Sequence, residues 1–428
     1  MSIRQLIFFA VCLSNFSLAA QTLASAVPAF PSALSLALTL EAAKLNAASR
    51  MSQQDLVAAN SDILAADRAP LPTFSSKTSA TDSSGQAGTT AGSLNSQRRT
   101  DKSWGLDWTL ERGGKRTHRT DAAKLNAQAA QAEFAETQIQ QQLLAKDLYF
   151  ELLASQERTQ HLKAIAQSAE TSANAAKLRA KAGDLSTQDM MRVEIEAEHA
   201  LSDLRKAQLD EKRASYVLSQ NLGVNQANSP KLIVSADWPQ ASASILEQSQ
   251  SLEAWITARP DVQGFQLRAQ ASQALLDNAK ALSKIDPTIG LSVDSNPSTN
   301  RRLTELRVQF PLQVGSTYDG EIGRATAQSF QAQIQWDQAK LNAEAEWLSM
   351  REAYAASMAR YTIYMQEILP RAHKVATQAE LAYTKGAIPL VDLLDARRTL
   401  KNSLLEAVEV KAEHAKTFIA LQLRAPKF

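Results

Sequence analysis

The spacing of apolar positions changes period several times along this 428-residue chain, and each change predicts an element. Over residues 34–67 apolar side chains recur every three or four positions, with Leu36, Leu40, Ala43 and Ala47 on one face, which is the helical period. "APLPTF" ends that pattern, because Pro70 and Pro72 cannot continue a helix. Residues 74–82 are short, rich in Ser and Thr and weakly strand-like, and residues 83–101 have loop composition. In "WGLDWTL" the period becomes two. Trp104, Leu106, Trp108 and Leu110 point one way and Gly105, Asp107 and Thr109 the other, which predicts a strand. After "ERGGKR" a helical pattern free of Pro and Gly runs over residues 117–182, about 100 Å at 1.5 Å per residue. Leu144, Leu148 and Leu152 mark its apolar seam, with alanines allowing close approach.

Gly183 stops this rod, and a return helix over residues 187–222 is expected to end at Gly223. Residues 225–249 are irregular and contain Pro230 and Pro239. The series then repeats. A helix over 260–284 breaks at Pro287, Ile289, Leu291 and Val293 alternate, and "DSNPSTNRR" separates them from "LTELRVQFPL", where Leu306, Val308, Phe310 and Leu312 share a face. A second long helix over 324–385, interrupted at Pro370, turns at Gly386 into a last helix over 390–423. Each half therefore reads helix, strand, strand, long helix, turn, helix. The turn "YTKGAIPLVDLLDARRTL" echoes "KAGDLSTQDMMRVEI": an apolar residue stands two positions past the glycine (Leu185, Ile388) and an Asp six past it (Asp189, Asp392). The glycines lie 203 residues apart and the break prolines Pro72 and Pro287 215 apart, the signature of tandem duplication. The organisation expected is a leader over 1–26, a first repeat over 27–249 and a second over 250–428.

The leader comes from the N-terminus. Residues 1–5 carry one positive charge, 6–18 are largely apolar, and Ala24-Ser25-Ala26 supplies small residues suited to signal cleavage, with Ala20 an alternative site. Cys12, the sole cysteine, falls inside this leader, and the large Val11 before it argues against a lipid-attachment site. A net charge of +2 gives no electrostatic case for nucleic acid. His118, His161, His199, His373 and His414 are scattered without metal-ligand spacing, and no phosphate-cradling or nucleophile-elbow motif occurs, so neither cofactor, nor metal centre, nor enzymatic activity is expected. Four strands with alternating faces leave unpaired edges and are too few for a barrel, which needs at least eight, so several chains must join to close one. The alternative is a soluble helical bundle with two ordinary hairpins.

With those residues in view, the chain resembles the outer membrane factors of the TolC type. "YTKGAIPLVDLLDARRTL" is very similar to the family's C-terminal helical turn, and "RPDVQGFQLRAQASQALLDNAKA" and "LPTFS" resemble its pre-barrel helices and the start of its strands. The resemblance implies a mainly α fold with a small β part: long antiparallel hairpins forming a periplasmic α-barrel, and four strands per chain in a shared trimeric 12-stranded outer-membrane barrel. It implies passive conduction from an inner-membrane pump of the RND type and a periplasmic adaptor, in contact with outer-membrane lipid. The tip turns would be Gly183, Leu185, Ser186, Asp189, Gly386, Ile388, Pro389 and Asp392, and the membrane-facing strand residues Trp104, Leu106, Trp108, Leu110, Leu306, Val308, Phe310 and Leu312. "LERGGKRTHR" and "LLDARRTLKNSLLEA" look most like the outer-membrane components of cobalt, zinc and cadmium efflux systems, with drug efflux, type I secretion, or a pore-less adaptor or scaffold as alternatives. The family's acidic aperture is not carried over, since Arg371, His373, Lys374 and Glu380 precede the second turn and no Asp pair stands there.

Overall fold

The computed structural model describes residues 33–81, 99–224, 232–235, 237–240, 252–296, 301–312, 315 and 318–425. The leader with Cys12 lies outside them, as does Pro230. Among the described residues the strands and α-helices are, in order, β1 (Ala33–Leu34), α1 (Leu36–Ala43), α2 (Ala47–Ala66), β2 (Thr73–Thr81), β3 (Arg99–Thr109), α3 (Lys115–Ala182), α4 (Thr187–Asn221), β4 (Ile233–Val234), α5 (Leu252–Ala258), α6 (Pro260–Ala281), β5 (Thr288–Asn296), β6 (Arg301–Gln309), α7 (Asp319–Ile363), α8 (Leu369–Thr384) and α9 (Leu390–Arg424). The chain is mainly helical, and its two halves repeat the same series, α3 with α4 corresponding to α7, α8 and α9.

The 68-residue α3 is the spine. Beside its first half run α2 and α6, tied to it by Asn46 Nδ2 donating to Gln141 (2.7 Å) and by the Arg268–Glu133 ion pair. Beside its second half run α4 and α9, tied to it by Lys177–Glu194 (3.2 Å) and Lys416–Glu151 (3.0 Å). The buried face of α3 is rich in alanine, including Ala127, Ala129, Ala166, Ala169, Ala173 and Ala176, which lets backbones approach closely. At mid-height Ala145, Tyr149, Phe150, Leu152 and Leu153 meet Leu218, Leu222 and Ile419 in the largest apolar core. The expected seam is off by one position: Leu152 is buried, but Leu144 is 44% exposed and its neighbour Ala145 faces inward.

Several boundaries differ from those expected, each for a local reason. The single helix over 34–67 is two, because Asn46 caps α2 by accepting from the Ser49 amide (3.0 Å), and Ser35 caps α1. β1 pairs in parallel with β4 inside the stretch read as irregular. The short α5 precedes α6, which ends at Ala281 rather than near 284. β3 starts at Arg99, inside the stretch read as loop, and β6 starts at Arg301. Finally, α7 starts at Asp319 and passes through a π-helical turn, Tyr364–Ile368, before α8. Pro370 explains the turn: it has no N–H, and in an α-helix its ring would clash with the carbonyl four residues back, at Gln366, so the widened turn accommodates it.

A buried ionic cluster joins the repeats at mid-height. Arg259 holds Asp261 bidentately (2.9 and 2.8 Å) and reaches Glu346 (2.8 Å), whose other oxygen lies 3.2 Å from Arg424 Nε. Arg424 also pairs with Glu136 on α3 (2.8 Å), and the Arg259 guanidinium lies 4.8 Å from the Trp255 ring centre. The two arginine side chains are 5% and 3% exposed, and the more accessible Glu346 bridges them. Nearer the tips, Glu157 takes Lys411 (2.7 Å) and Trp238 Nε1 (2.8 Å). Burial alone would raise its carboxyl, but hydrogen bonds from His161, Lys411 and Trp238 hold it at about 2.

Candidate functional site: two helical tips and a strand panel

Both tips reverse through glycine in the left-handed region. At the first, Gly183 has φ +84°, and the Asp184 amide donates back to the Arg179 carbonyl (2.9 Å), closing the end of α3. Ser186 then caps α4. Its hydroxyl oxygen accepts from the Asp189 amide (3.0 Å) while the hydroxyl donates to the Asp189 carboxylate (2.9 Å). At the second tip Gly386 has φ +72°, and the Ala387 amide donates to the Ala382 carbonyl (2.8 Å). Pro389 occupies the cap position of α9 with extended backbone and no side-chain cap, and Asp392 sits in the first turn. The carboxylates of Asp189 and Asp392 both lie at helix N-termini, where the dipole favours them.

The fold brings the two tips together. Leu185 and Ile388, distant in sequence, pack half-buried against one apolar cluster containing Val193, Leu390 and Leu393. Arg179 from the first tip reaches the Tyr383 hydroxyl of the second (3.5 Å), with its guanidinium 6.0 Å from that ring centre. Just above, ion pairs cross between repeats from Arg398 to Glu196 (3.3 Å) and from Lys401 to Asp203 (2.5 Å), while Arg397 pairs with Glu380 of its own repeat (3.1 Å) and donates across to the Ser172 hydroxyl (3.0 Å). Between the hairpins lies a cavity of about 280 Å³ lined by Ser172, Arg179, Leu185, Tyr383 and Arg397. Sequence reading of the turns missed Arg179, Tyr383, Arg397 and Arg398. The two arginines do stand in "LLDARRTL", but Ser172 and Glu196, which they reach in the other repeat, are more than 200 residues away in sequence.

At the opposite end, β2, β3, β5 and β6 form one antiparallel sheet in that order. The register aligns Phe74 with Leu106, Leu106 with Leu291 and Leu291 with Leu306 on one face, and Trp108 with Ile289 and Ile289 with Val308 one rung nearer the helices. That face is apolar and open: Trp104 is 61% exposed and Leu306 70%. The other face carries Lys77, Ser75, Asp107, Ser292, Glu305 and Arg307. There Asp107 and Arg307 form an ion pair across β5, made possible by Gly290, because a Cβ at that position would stand 2.2 Å from Asp107 Oδ1. The structure trims the expected strand set. Leu110, Phe310 and Leu312 lie just past the strand ends, although the Leu110 amide still donates to the Pro287 carbonyl (2.9 Å). No helix among the described residues is long and apolar enough to cross a membrane. Among those residues, too, no three His, Cys, Asp or Glu side chains gather as a metal-binding group. His199 is exposed on α4.

Residues 39–224 match the family described as outer membrane efflux protein. The chain is 26% identical over 405 residues to the cobalt-zinc-cadmium resistance protein CzcC of Cupriavidus metallidurans, covering 90% of each. Its fold is similar to that of VceC from Vibrio cholerae (TM-score 0.72, 18% identity, 92% of this chain and 96% of that one). It is similar as well to CusC (TM-score 0.69, 16% identity, 92% of each). The open-state channel MtrE from Neisseria gonorrhoeae shares the fold (TM-score 0.72, 15% identity, 91% and 88%). Fold and matches together define an outer-membrane efflux channel of a tripartite system, a passive duct and not an enzyme, whose helical part lies in the periplasm. The resemblance to TolC-type factors read from the sequence holds.

Proposed function

We propose that three copies of this chain close a 12-stranded barrel in the outer membrane and a helical tunnel beneath it, and that the duct releases heavy-metal cations. The observation that carries the duct is the strand panel: four strands of 9 to 11 residues, the length that spans a membrane obliquely, with one apolar exposed face and unpaired edges at β2 and β6. The metal reading rests on the likeness to the cobalt-zinc-cadmium resistance protein. Trp104, Leu106, Trp108, Leu306 and Val308 face lipid, with Leu110, Phe310 and Leu312 at the periplasmic rim. Gly183, Leu185, Ser186, Asp189, Gly386, Ile388, Pro389 and Asp392 form the tips that meet a periplasmic adaptor serving an RND-type inner-membrane pump. The two repeats divide near residues 249 and 250.

Conduction needs no chemistry in the duct, since the pump supplies the energy. The adaptor would favour a splayed arrangement of the tips, shifting a closed–open equilibrium. The test is tolerance. Expressed with its own pump and adaptor in a sensitive host, the chain should raise resistance to zinc, cobalt and cadmium. Protection against hydrophobic drugs alone would move the substrate to the drug class. A charge-reversed Asp189→Lys and Asp392→Lys pair should insert normally yet lose pump-dependent resistance, and undiminished resistance would remove both residues from the docking role.

A further inference from the structure

We propose that Thr78, Lys102, Ser295 and Arg302 form a phosphate-binding rung on the outer face of the panel, which holds the phosphorylated glycolipid of the membrane's outer leaflet. The inference rests on the reading of the apolar sheet face as the lipid-facing surface. Register sets the rung: Thr78 is opposite Lys102, Lys102 opposite Ser295 and Ser295 opposite Arg302, so one residue from each strand shares a level and a face. All four are exposed. They share that face with Trp104, one rung closer to the helices, and with the Leu106 and Leu291 level beyond it.

Two features single this rung out. The first is charge sorting. Asp107, Asp294 and Glu305 alternate onto the inner face together with Lys77 and Arg307, where both signs mix. Among residues whose side chains are described, the outer face of the four strands carries only Lys102 and Arg302 as charges, and neither has an ion-pair partner among the described residues. An unpaired cation is costly at mid-membrane and tolerable at the headgroup level, where anionic groups compensate it. The second is position. Helices attach at the Thr109 and Gln309 ends of β3 and β6, so the rung lies toward the opposite, exterior end of the panel. That end faces the outer leaflet, whose glycolipid bears phosphates. Two hydroxyls interleaved with an ammonium and a guanidinium, on strands about 4.8 Å apart, offer a row of donors to such oxygens.

The test uses full-length assembled protein and a Lys102→Gln, Arg302→Gln variant, titrated with diphosphoryl lipid A, its dephosphorylated form and phosphatidylglycerol, with bound lipid counted by native mass spectrometry. Wild type should prefer the diphosphoryl form, and the double variant should bind it about tenfold more weakly. Equal binding of the dephosphorylated form, or phosphatidylglycerol binding as tight as the glycolipid, would overturn the proposal. Quenching of Trp104 and Trp108 by brominated lipid separates the two levels. Quenched tryptophans without phosphate preference sink this inference alone, and unquenched tryptophans sink the lipid-facing reading beneath it.

Discussion

His414 is the residue whose position was least expected. It is 1% exposed on α9, and neither ring nitrogen has a hydrogen-bond partner among the described residues. The rings of Tyr354, Tyr361 and Phe418 surround it at centroid distances of 5.5, 4.8 and 6.1 Å. Burial pushes its pKa below the ordinary 6.5. Its folded pKa is depressed, so the neutral ring contributes stability above pH 6.5 that is lost as pH falls below it, by at most about 1.4 kcal/mol per pH unit. The charged groups nearby are Arg360, Glu413 and Glu406, joined in ion pairs of 2.8 and 3.2 Å. Thermal melts from pH 7 to 5 should therefore fall more steeply for wild type than for His414→Phe, and parallel curves would refute the assignment. At Gly183 a Cβ would meet nothing within 4 Å, so Gly183→Ala tests backbone strain alone. It should destabilise the tip by about 1 to 2 kcal/mol in denaturant melts, from the left-handed φ.

At the scale of elements, sequence periodicity located α3 to within two residues and both glycine turns, because a long Pro-free run and a left-handed stop are local signals. It placed the alternating core of β3, where Trp104, Leu106 and Trp108 repeat at period two. What escaped depends on partners far away in the chain. The α1–α2 break rests partly on Asn46 reaching Gln141, β4 on pairing with Ala33 and Leu34, and Asp107 on Arg307, 200 residues distant. Pro370 was recognised as an interruption, but whether a proline kinks, ends or widens a helix is decided by what the next helix packs against. Restoring the donor with Pro370→Ala removes the reason for the wide turn. Amide exchange over residues 364–370 should slow as that stretch becomes α-helical, and unchanged exchange would show that the turn has another cause. Gly290→Val should separate Asp107 from Arg307 and lower the yield of assembled protein, read from gel migration before and after heating.

For the whole molecule, the decisive property is that a single chain encloses nothing. Among the described residues its sheet has two open edges, and exposed Phe330, Ile334, Leu341 and Leu348 line α7, where no other described helix covers them. Conductance in planar bilayers should therefore appear only with assembled protein, rise more than linearly with subunit concentration, and vanish for subunits kept apart by detergent. Ohmic channels from isolated subunits would contradict the architecture. The proposed release of heavy-metal cations, by contrast, rests on the likeness to the cobalt-zinc-cadmium resistance protein alone.

The order of the panel has one more consequence. Where β3 meets β5, the hairpin of the first repeat is already stitched to that of the second. Sealing a ring needs β6 of one copy to meet β2 of the next, which again sets a second-repeat hairpin beside a first-repeat one. Each circuit of the wall thus alternates a covalently guaranteed seam with one that depends on encounter. With two hairpins on one chain, half of the joints between hairpins form without a second molecule.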